Sequence, residues 1–392
     1  VDLTLIVVLV IALALFFDFT NGFHDTANAM ATPIATGALR PKIAVALAAV
    51  LNLIGAFLST EVAKTISGGL IREGEGGVFI TPELIFAGLI GAITWNMVTW
   101  LLGLPSSSSH ALFGGLIGAA LVGFGIQAID GGVVMSKIIL PALLAPLTAG
   151  LVAFAATKLA YAITRRYDGR PDGRDGFRHA QIFSSSLVAL AHGTNDAQKT
   201  MGVITLTLIS VGAQPVGSGP EFWVVVTCAV AIALGTYMGG WRIIKTLGTG
   251  LTDVKPAQGF ASETATAATI LASSHLGFAL STTQVASGSV IGSGLGRRGS
   301  KVRWRTAGRI GIGWILTLPA AGGVGALAAV VATMGVVGVL IDAVAAAVVI
   351  GGIFLWSRRD EVSHRNVLSE VADSGRAVKI KRSPEPKRKV AP

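Results

Sequence analysis

Two short polar motifs occur twice, in the same order, along this chain of 392 residues, and each time they interrupt apolar sequence. The first copy reads Gly22-Phe23-His24-Asp25-Thr26-Ala27-Asn28 and the second Gly193-Thr194-Asn195-Asp196-Ala197-Gln198-Lys199. A run of hydroxyls follows each: Leu104-Pro105-Ser106-Ser107-Ser108-Ser109-His110, then Ala279-Leu280-Ser281-Thr282-Thr283-Gln284. Asp25 and Asp196 are 171 residues apart; Gly103 and Gly277, which precede the hydroxyl runs, are 174 apart. Two motifs of different chemistry at nearly one offset point to an internal duplication. In an apolar chain, polar residues repeated at matched depths mark a transporter.

Composition supports a membrane setting. Apolar residues make up 52% and charged residues 13% of the chain, against about 25% charge in soluble domains; mean hydropathy is +0.68. Runs such as Leu3–Phe17 and 312–339 exceed what ordinary core helices carry. Lipid leaves open backbone groups unsatisfied, so helices are expected, and the alternation of an outer-membrane barrel is absent. The single cysteine, Cys228, excludes an intrachain disulfide. No cleavable leader is expected, because no basic region precedes the first apolar run.

The net charge of +10 is concentrated in places that argue against nucleic acid. Residues 357–392 hold ten Lys/Arg against five Asp/Glu, Arg165–Arg178 five Arg against three Asp, and Arg297–Arg309 six basic residues and no acid. Basic loops beside spans report orientation; the tail could also meet anionic lipid. With those three regions in the cytoplasm, the weakly basic stretches 67–82 (Arg72, Glu73, Glu75), 126–136 (Asp130) and 211–221 (Glu221) fall outside. The segment 83–125 must then enter and leave by the outer face, and 257–296 by the inner face. The expectation is an all-α polytopic membrane protein with inverted structural repeats, broken helices and two re-entrant helical hairpins. Its parts are a first repeat (1–163), a basic cytoplasmic loop (164–178), a second repeat (179–334), a final span (335–357) and a basic cytoplasmic tail (358–392). Residues 3–38 as one helix would be about 54 Å long, against a hydrocarbon core of about 30 Å, so a break near Gly22 is expected.

Asp25 and Asp196 lead the candidates for chemistry, because a carboxylate at membrane depth is costly unless partnered and functional. Asn28 lies one helical turn beyond Asp25, and Asn195 and Gln198 flank Asp196. Together they offer a hard-oxygen site for a small cation or a proton; helix capping by Asp25 is the structural alternative. The hydroxyl runs each open a new apolar helix, whose first N–H groups and partial positive charge suit an anion. If the hairpins enter from opposite faces, Ser107, Ser108, Ser109, Ser281, Thr282 and Thr283 can surround one tetrahedral oxyanion; capping and packing are the alternatives. Lys199 is the one cation inside a motif, and pairing with Asp196 competes with ligand contact. His24, Asn96, His110, His192 and Glu263 are candidate proton or cavity residues. No zinc-type His spacing occurs, and neither a metal nor a cofactor is expected.

At these motifs the chain resembles the inorganic phosphate transporter (PiT) family, which carries two Gly-x-Asn-Asp-like signatures and two Pro-x-Ser-Thr-Thr-His-like tips. The matching segments are 22–29, 193–199, 105–110 and 279–284. The resemblance implies phosphate contact by Ser107, Ser108, Ser109, Ser281, Thr282 and Thr283, and coupling-cation contact by Asp25, Asn28, Asn195, Asp196 and Gln198. His24 stands where many sodium-coupled members have Asn, and Asn52 where they carry an acid; Ala279 and Gln284 replace the second tip's Pro and His. The His24 form resembles the bacterial low-affinity phosphate permease branch, which favours H+ over Na+ and includes carriers of metal–phosphate complexes. The expected function is secondary import of inorganic phosphate across the cell membrane, with no enzymatic step and a homodimer as an allowed assembly. A sulfate permease of the same family and an anion channel are the alternatives. An intramembrane hydrolase lacks a clear nucleophile–base pair.

Overall fold

The computed structural model describes residues 2–69, 80–167 and 176–360, together with 362–364 and 367. Arg72, Glu73 and Glu75, the centre of the basic loop at 164–178 and most of the tail lie outside the described residues. The described chain is helical, without strands. In order come α1 (Asp2–Ala35), α2 (Pro41–Gly55), α3 (Glu61–Gly69), α4 (Pro82–Leu101), α5 (Ser108–Phe124), α6 (Gly131–Val133), α7 (Leu140–Tyr167) and α8 (Gly176–Ser210). They are followed by α9 (Phe222–Met238), α10 (Trp241–Lys245), α11 (Pro256–His275), α12 (Thr282–Gly296), α13 (Trp304–Ala332) and α14 (Val336–Ser357). Among the described residues, five stretches are long and apolar enough to cross a membrane, and α9 with the segment Trp241–Gly250 makes a sixth, bent by 60°. The chain is a multi-pass membrane protein.

Local sequence explains where helices start and stop. Proline at the first helical position opens α2, α4 and α11, where its missing N–H costs nothing. Helices α4 and α11 end alike: Gly103 (φ 63) and Gly277 (φ 72) adopt the left-handed conformation that disfavours other residues. Gly103 N donates to Trp100 O and Leu104 N to Thr99 O; Gly277 N donates to Ser274 O and Phe278 N to Ser273 O. The same glycine cap thus reverses the chain at both hairpin turns before α5 and α12.

The long helices differ from expectation. α1 runs unbroken for 34 residues through Gly22, and α8 for 35 through Gly193. Gly22 permits a close helix crossing instead of a break. A Cβ there would land on the backbone of Ile232 in α9, and one at Gly235 on Phe19 of α1. Gly193 and Gly55 make the corresponding close crossing of α8 with α2. Thr26 Oγ1 bonds Gly22 O on its own helix (2.7 Å) and Thr236 O of α9 (3.2 Å) without opening the backbone. Breaks fall elsewhere, between α2 and α3 and at Gly239-Gly240.

The helix contacts are matched and exchanged between halves. α1 crosses α9 while α8 crosses α2. α13 packs on the hairpin α4–α5, and α7 on the hairpin α11–α12. In the last two, backbones touch at Gly118–Gly322 and at Gly292–Gly150. Small residues allow this approach where lipid supplies no hydrophobic drive between helices. A side chain at Gly118 or Gly292 would strike backbone that cannot yield. Gly118→Val and Gly292→Val are each expected to cost about 1–3 kcal/mol, read as a lower melting temperature in detergent. Gly351→Ala, which meets nothing within 4 Å, is expected to leave the melting temperature unchanged.

Candidate functional site

The C-terminal half of α1 and the middle of α8 bring Asp25 and Asp196 together, both buried, with 1% and 0% exposure. The N-terminal turns of α5 and α12 close on them. Thr282 Oγ1 reaches both carboxylates, donating to Asp196 Oδ2 at 2.9 Å and lying 3.4 Å from Asp25 Oδ2. Ser108 Oγ donates to Asp25 Oδ2 (2.9 Å) and Thr283 Oγ1 to Asp25 Oδ1 (3.2 Å). Asn28 Nδ2 donates to the hydroxyls of Thr283 (3.0 Å) and Thr282 (3.2 Å). The two tips also touch directly, Ser109 Oγ donating to Leu280 O at 3.3 Å. Asn195 Nδ2 donates to the same carbonyl at 2.9 Å and to Asp196 Oδ1 at 3.2 Å.

The hydroxyls divide by role. Ser107 and Ser281 cap their helices, accepting from His110 N (3.1 Å) and Gln284 N (3.3 Å). For these two the capping alternative describes the contact. The first-turn N–H groups of Ser108, Ser109, Thr282 and Thr283 lie before the helical ladder begins. Two helix starts therefore present donors and positive dipole ends to one region. Ser106 instead bonds Thr99 Oγ1 at 2.7 Å.

One ammonium and two imidazoles surround the carboxylates. The ammonium of Lys199, fully buried, pairs with Asp196 Oδ1 and donates to Ser109 Oγ (2.6 Å) and Leu280 O (3.1 Å). His24 Nδ1 lies 2.6 Å from Asp25 Oδ1, and His192 Nε2 lies 2.7 Å from Asp196 Oδ2 and 4.0 Å from Asp25 Oδ2. Asp25, His192 and Asp196 each offer one ligand atom, and these atoms all lie within 4.8 Å of one another. Such a cluster can hold a small cation, or a proton shared with an imidazole.

The remaining predicted residues are spread around this centre. Gln198 is engaged elsewhere: its Oε1 accepts from Val62 N (2.8 Å) and Ala63 N (3.3 Å) at the start of α3, and its Nε2 donates to Thr194 O. Glu263 accepts from Thr32 (2.5 Å), Gln181 (3.0 Å) and Ser184 (2.5 Å), and lines a small cavity that Asn28 also lines. His110 Nδ1 lies 3.5 Å from Gln284 Nε2 across the tips. Asn96 is buried, with neither side-chain polar atom bonded among the described residues. Sequence reasoning missed Thr99, whose hydroxyl lies 3.3 Å from His24 Nε2, and Thr236, which accepts from Asn52 (2.7 Å) while Asn52 Oδ1 lies 3.2 Å from His192 Nδ1. The one signal for Thr99 was its place a turn beyond Asn96 on an apolar helix.

The model of the phosphate transporter family matches residues 21–325. A protein of Mycobacterium tuberculosis (strain ATCC 25618 / H37Rv) named "Probable low-affinity inorganic phosphate transporter" is 55% identical over 370 residues, covering 92% of this chain and 86% of its own length. A protein of the same name from Rhizobium meliloti (strain 1021) is 46% identical over 328 residues, covering 81% of this chain and 93% of its own. Among solved structures, one named "The sodium-dependent phosphate transporter" shares the fold, with a TM-score of 0.73 over 84% of this chain and 99% of its own, at 23% identity. On the family match and these identities, the chain belongs to the phosphate transporter family.

Proposed function

We propose that the chain is a secondary transporter that brings inorganic phosphate across the cell membrane together with a coupling cation, with its C-terminus in the cytoplasm. The observation that carries this reading is the shared hydroxyl of Thr282, which joins the carboxylates of both halves at the point where the two hairpin tips meet. Ser108, Ser109, Thr282 and Thr283, with the first-turn N–H groups of α5 and α12, are the donors for the phosphate oxygens. Asp25, Asn28, Asn195 and Asp196 hold the cation. Ser107 and Ser281 keep the two helix starts in shape, and Gln198 anchors α3. The chemistry is binding and release, with no bond made or broken.

A dianion held by neutral donors beside two carboxylates is repelled unless those carboxylates are neutralised. The coupling cation does that, so each ligand makes room for the other. The proton is our choice of cation, because an imidazole lies within 2.7 Å of each carboxylate and can share a proton with it. Sodium is the second reading, supported by the oxygen-rich surroundings of Asp25 and by the sodium dependence that the structural relative carries in its name. The matched motifs and exchanged helix contacts support two inverted halves, 1–163 and 179–334, joined by a basic loop and followed by a last span.

Purified protein in proteoliposomes should accumulate radiolabelled phosphate when a proton gradient is imposed without sodium; accumulation with sodium alone moves the assignment to sodium, and accumulation with neither contradicts symport. Excess sulfate should leave this uptake unchanged. Asp25→Asn and Asp196→Asn should each reduce gradient-driven uptake by about a hundredfold, the order expected when a charged partner is removed from a buried site; normal uptake in both removes the cation role. Ser108→Ala with Ser109→Ala should raise the half-saturating phosphate concentration about a hundredfold or more, at roughly 1.5–3 kcal/mol per bond to a charged group. Ser107→Ala should instead lower stability by about 1 kcal/mol, read as a lower melting temperature, with a smaller change in half-saturation.

A further inference from the structure

A cavity of about 1170 Å³ lies between α1 and α14, with α4 behind it, and none of the residues assigned to the transport site line it. Its walls are apolar: Leu13 and Phe16 of α1, Phe86 and Met97 of α4, Ala347 and Ile350 of α14. Phe16 and Phe354 are 38% and 41% exposed on those walls, so the cavity opens sideways, toward the bilayer. The α14 wall is set back by small residues, and a Cβ at Gly351 would meet nothing within 4 Å.

The two ends of the cavity differ. Leu9 of α1 and Ala343 of α14 line one end; Trp100, Trp241, Arg242 and Arg358 line the other. Arg242 donates to Leu101 O (3.2 Å) and Ser357 O (2.8 Å), the last residues of α4 and α14, and its guanidinium stands 5.8 Å from the centre of the Trp100 ring. The Arg358 guanidinium lies 5.3 Å from the centre of the Phe354 ring, and Trp356 beside it is 65% exposed. Tryptophan and arginine at one end of an apolar wall mark the membrane–water boundary. From Leu9 to Phe23 the α1 wall runs about 21 Å along the helix, against roughly 20–22 Å for one leaflet with its headgroups. The cavity thus has the depth of one leaflet, with two guanidinium groups at headgroup level. Guanidinium pairs well with phosphate oxygens, and basic pockets between spans suit anionic lipid.

We propose that this cavity binds one anionic phospholipid, with its acyl chains along α1 and α14 and its headgroup phosphate at Arg242 and Arg358. The inference is independent of coupled transport; the cytoplasmic C-terminus proposed above decides only the leaflet, the inner one. Arg242 connects the lipid to the first hairpin. It holds the end of α4, and one turn further on Thr246 Oγ1 donates to Gly103 O (2.7 Å) at the turn before α5.

The test is native mass spectrometry of the full chain, stripped of lipid in detergent and titrated with phosphatidylglycerol or with phosphatidylcholine of the same acyl chains. One phosphatidylglycerol per chain is expected to bind, about fivefold or more tighter than phosphatidylcholine, and to raise the melting temperature. Arg358→Gln is expected to weaken phosphatidylglycerol about fivefold and to leave phosphatidylcholine unchanged. Gly351→Leu, which fills the cavity, is expected to weaken both lipids and to leave the lipid-free melting temperature unchanged. Equal affinity of the wild type for the two lipids overturns the proposal, as does unchanged phosphatidylglycerol affinity in either variant. A wild-type dimer that binds no lipid, and that Gly351→Leu splits into monomers, gives the cavity to a second copy of the chain and overturns it too. If Gly351→Leu does not fold, Arg358→Gln, at an exposed position, decides alone.

Discussion

Two carboxylates from opposite halves of the chain meet in a dry interior, and nearly everything else follows from keeping them there. Asp25 and Asp196 would repel each other and resist burial if left alone. The Lys199 ammonium offsets the charge of Asp196, and the imidazoles of His24 and His192 lie against Asp25 and Asp196. The hydroxyls of Ser108, Thr282 and Thr283 supply the hydrogen bonds. Because those hydroxyls stand on the first turns of α5 and α12, satisfying the carboxylates also fixes the two hairpin tips against each other. Charge balance and tertiary structure are here one constraint.

The same constraint gives the site its capacity to respond. The donors that hold the carboxylates are the donors that an oxyanion needs. In the proposed reading, a cation at the carboxylates would release hydroxyls to turn toward an anion, and the anion would in turn favour the cation. Lys199 joins these demands, since its ammonium touches Asp196, the first tip at Ser109 and the second tip at Leu280. The scaffold around this centre is tight where it must be. Backbones touch at Gly118–Gly322 and Gly292–Gly150, so each hairpin and the long helix behind it form a unit.

Much of this was legible because the chain states it twice. Duplication singled out Asp25 with Asp196, and Ser108–Ser109 with Thr282–Thr283, before any contact was known. The segments 83–125 and 257–296, read from apolar runs and charge placement, coincide with α4–α5 and α11–α12 to within one residue at their outer ends. The misses share a cause. Length and polarity argued for a break at Gly22, but whether a buried polar group opens its own backbone or reaches a neighbouring helix depends on packing, which a local motif does not carry. Gln198 belongs to the repeated motif, yet its side chain serves α3, a helix whose position no spacing predicted. Thr99 and Thr236 come from unduplicated context, so nothing set them apart from ordinary span residues.

The central claim is that phosphate and the coupling cation occupy one electrostatic unit, each offsetting the other's desolvation. It is tested most directly by equilibrium binding of phosphate to the purified protein while pH and sodium are varied separately. The account predicts that phosphate affinity rises with the concentration of one of these cations, and that saturating phosphate raises the affinity for that cation by the same factor, as linkage requires. Phosphate affinity that is independent of both cations would contradict it.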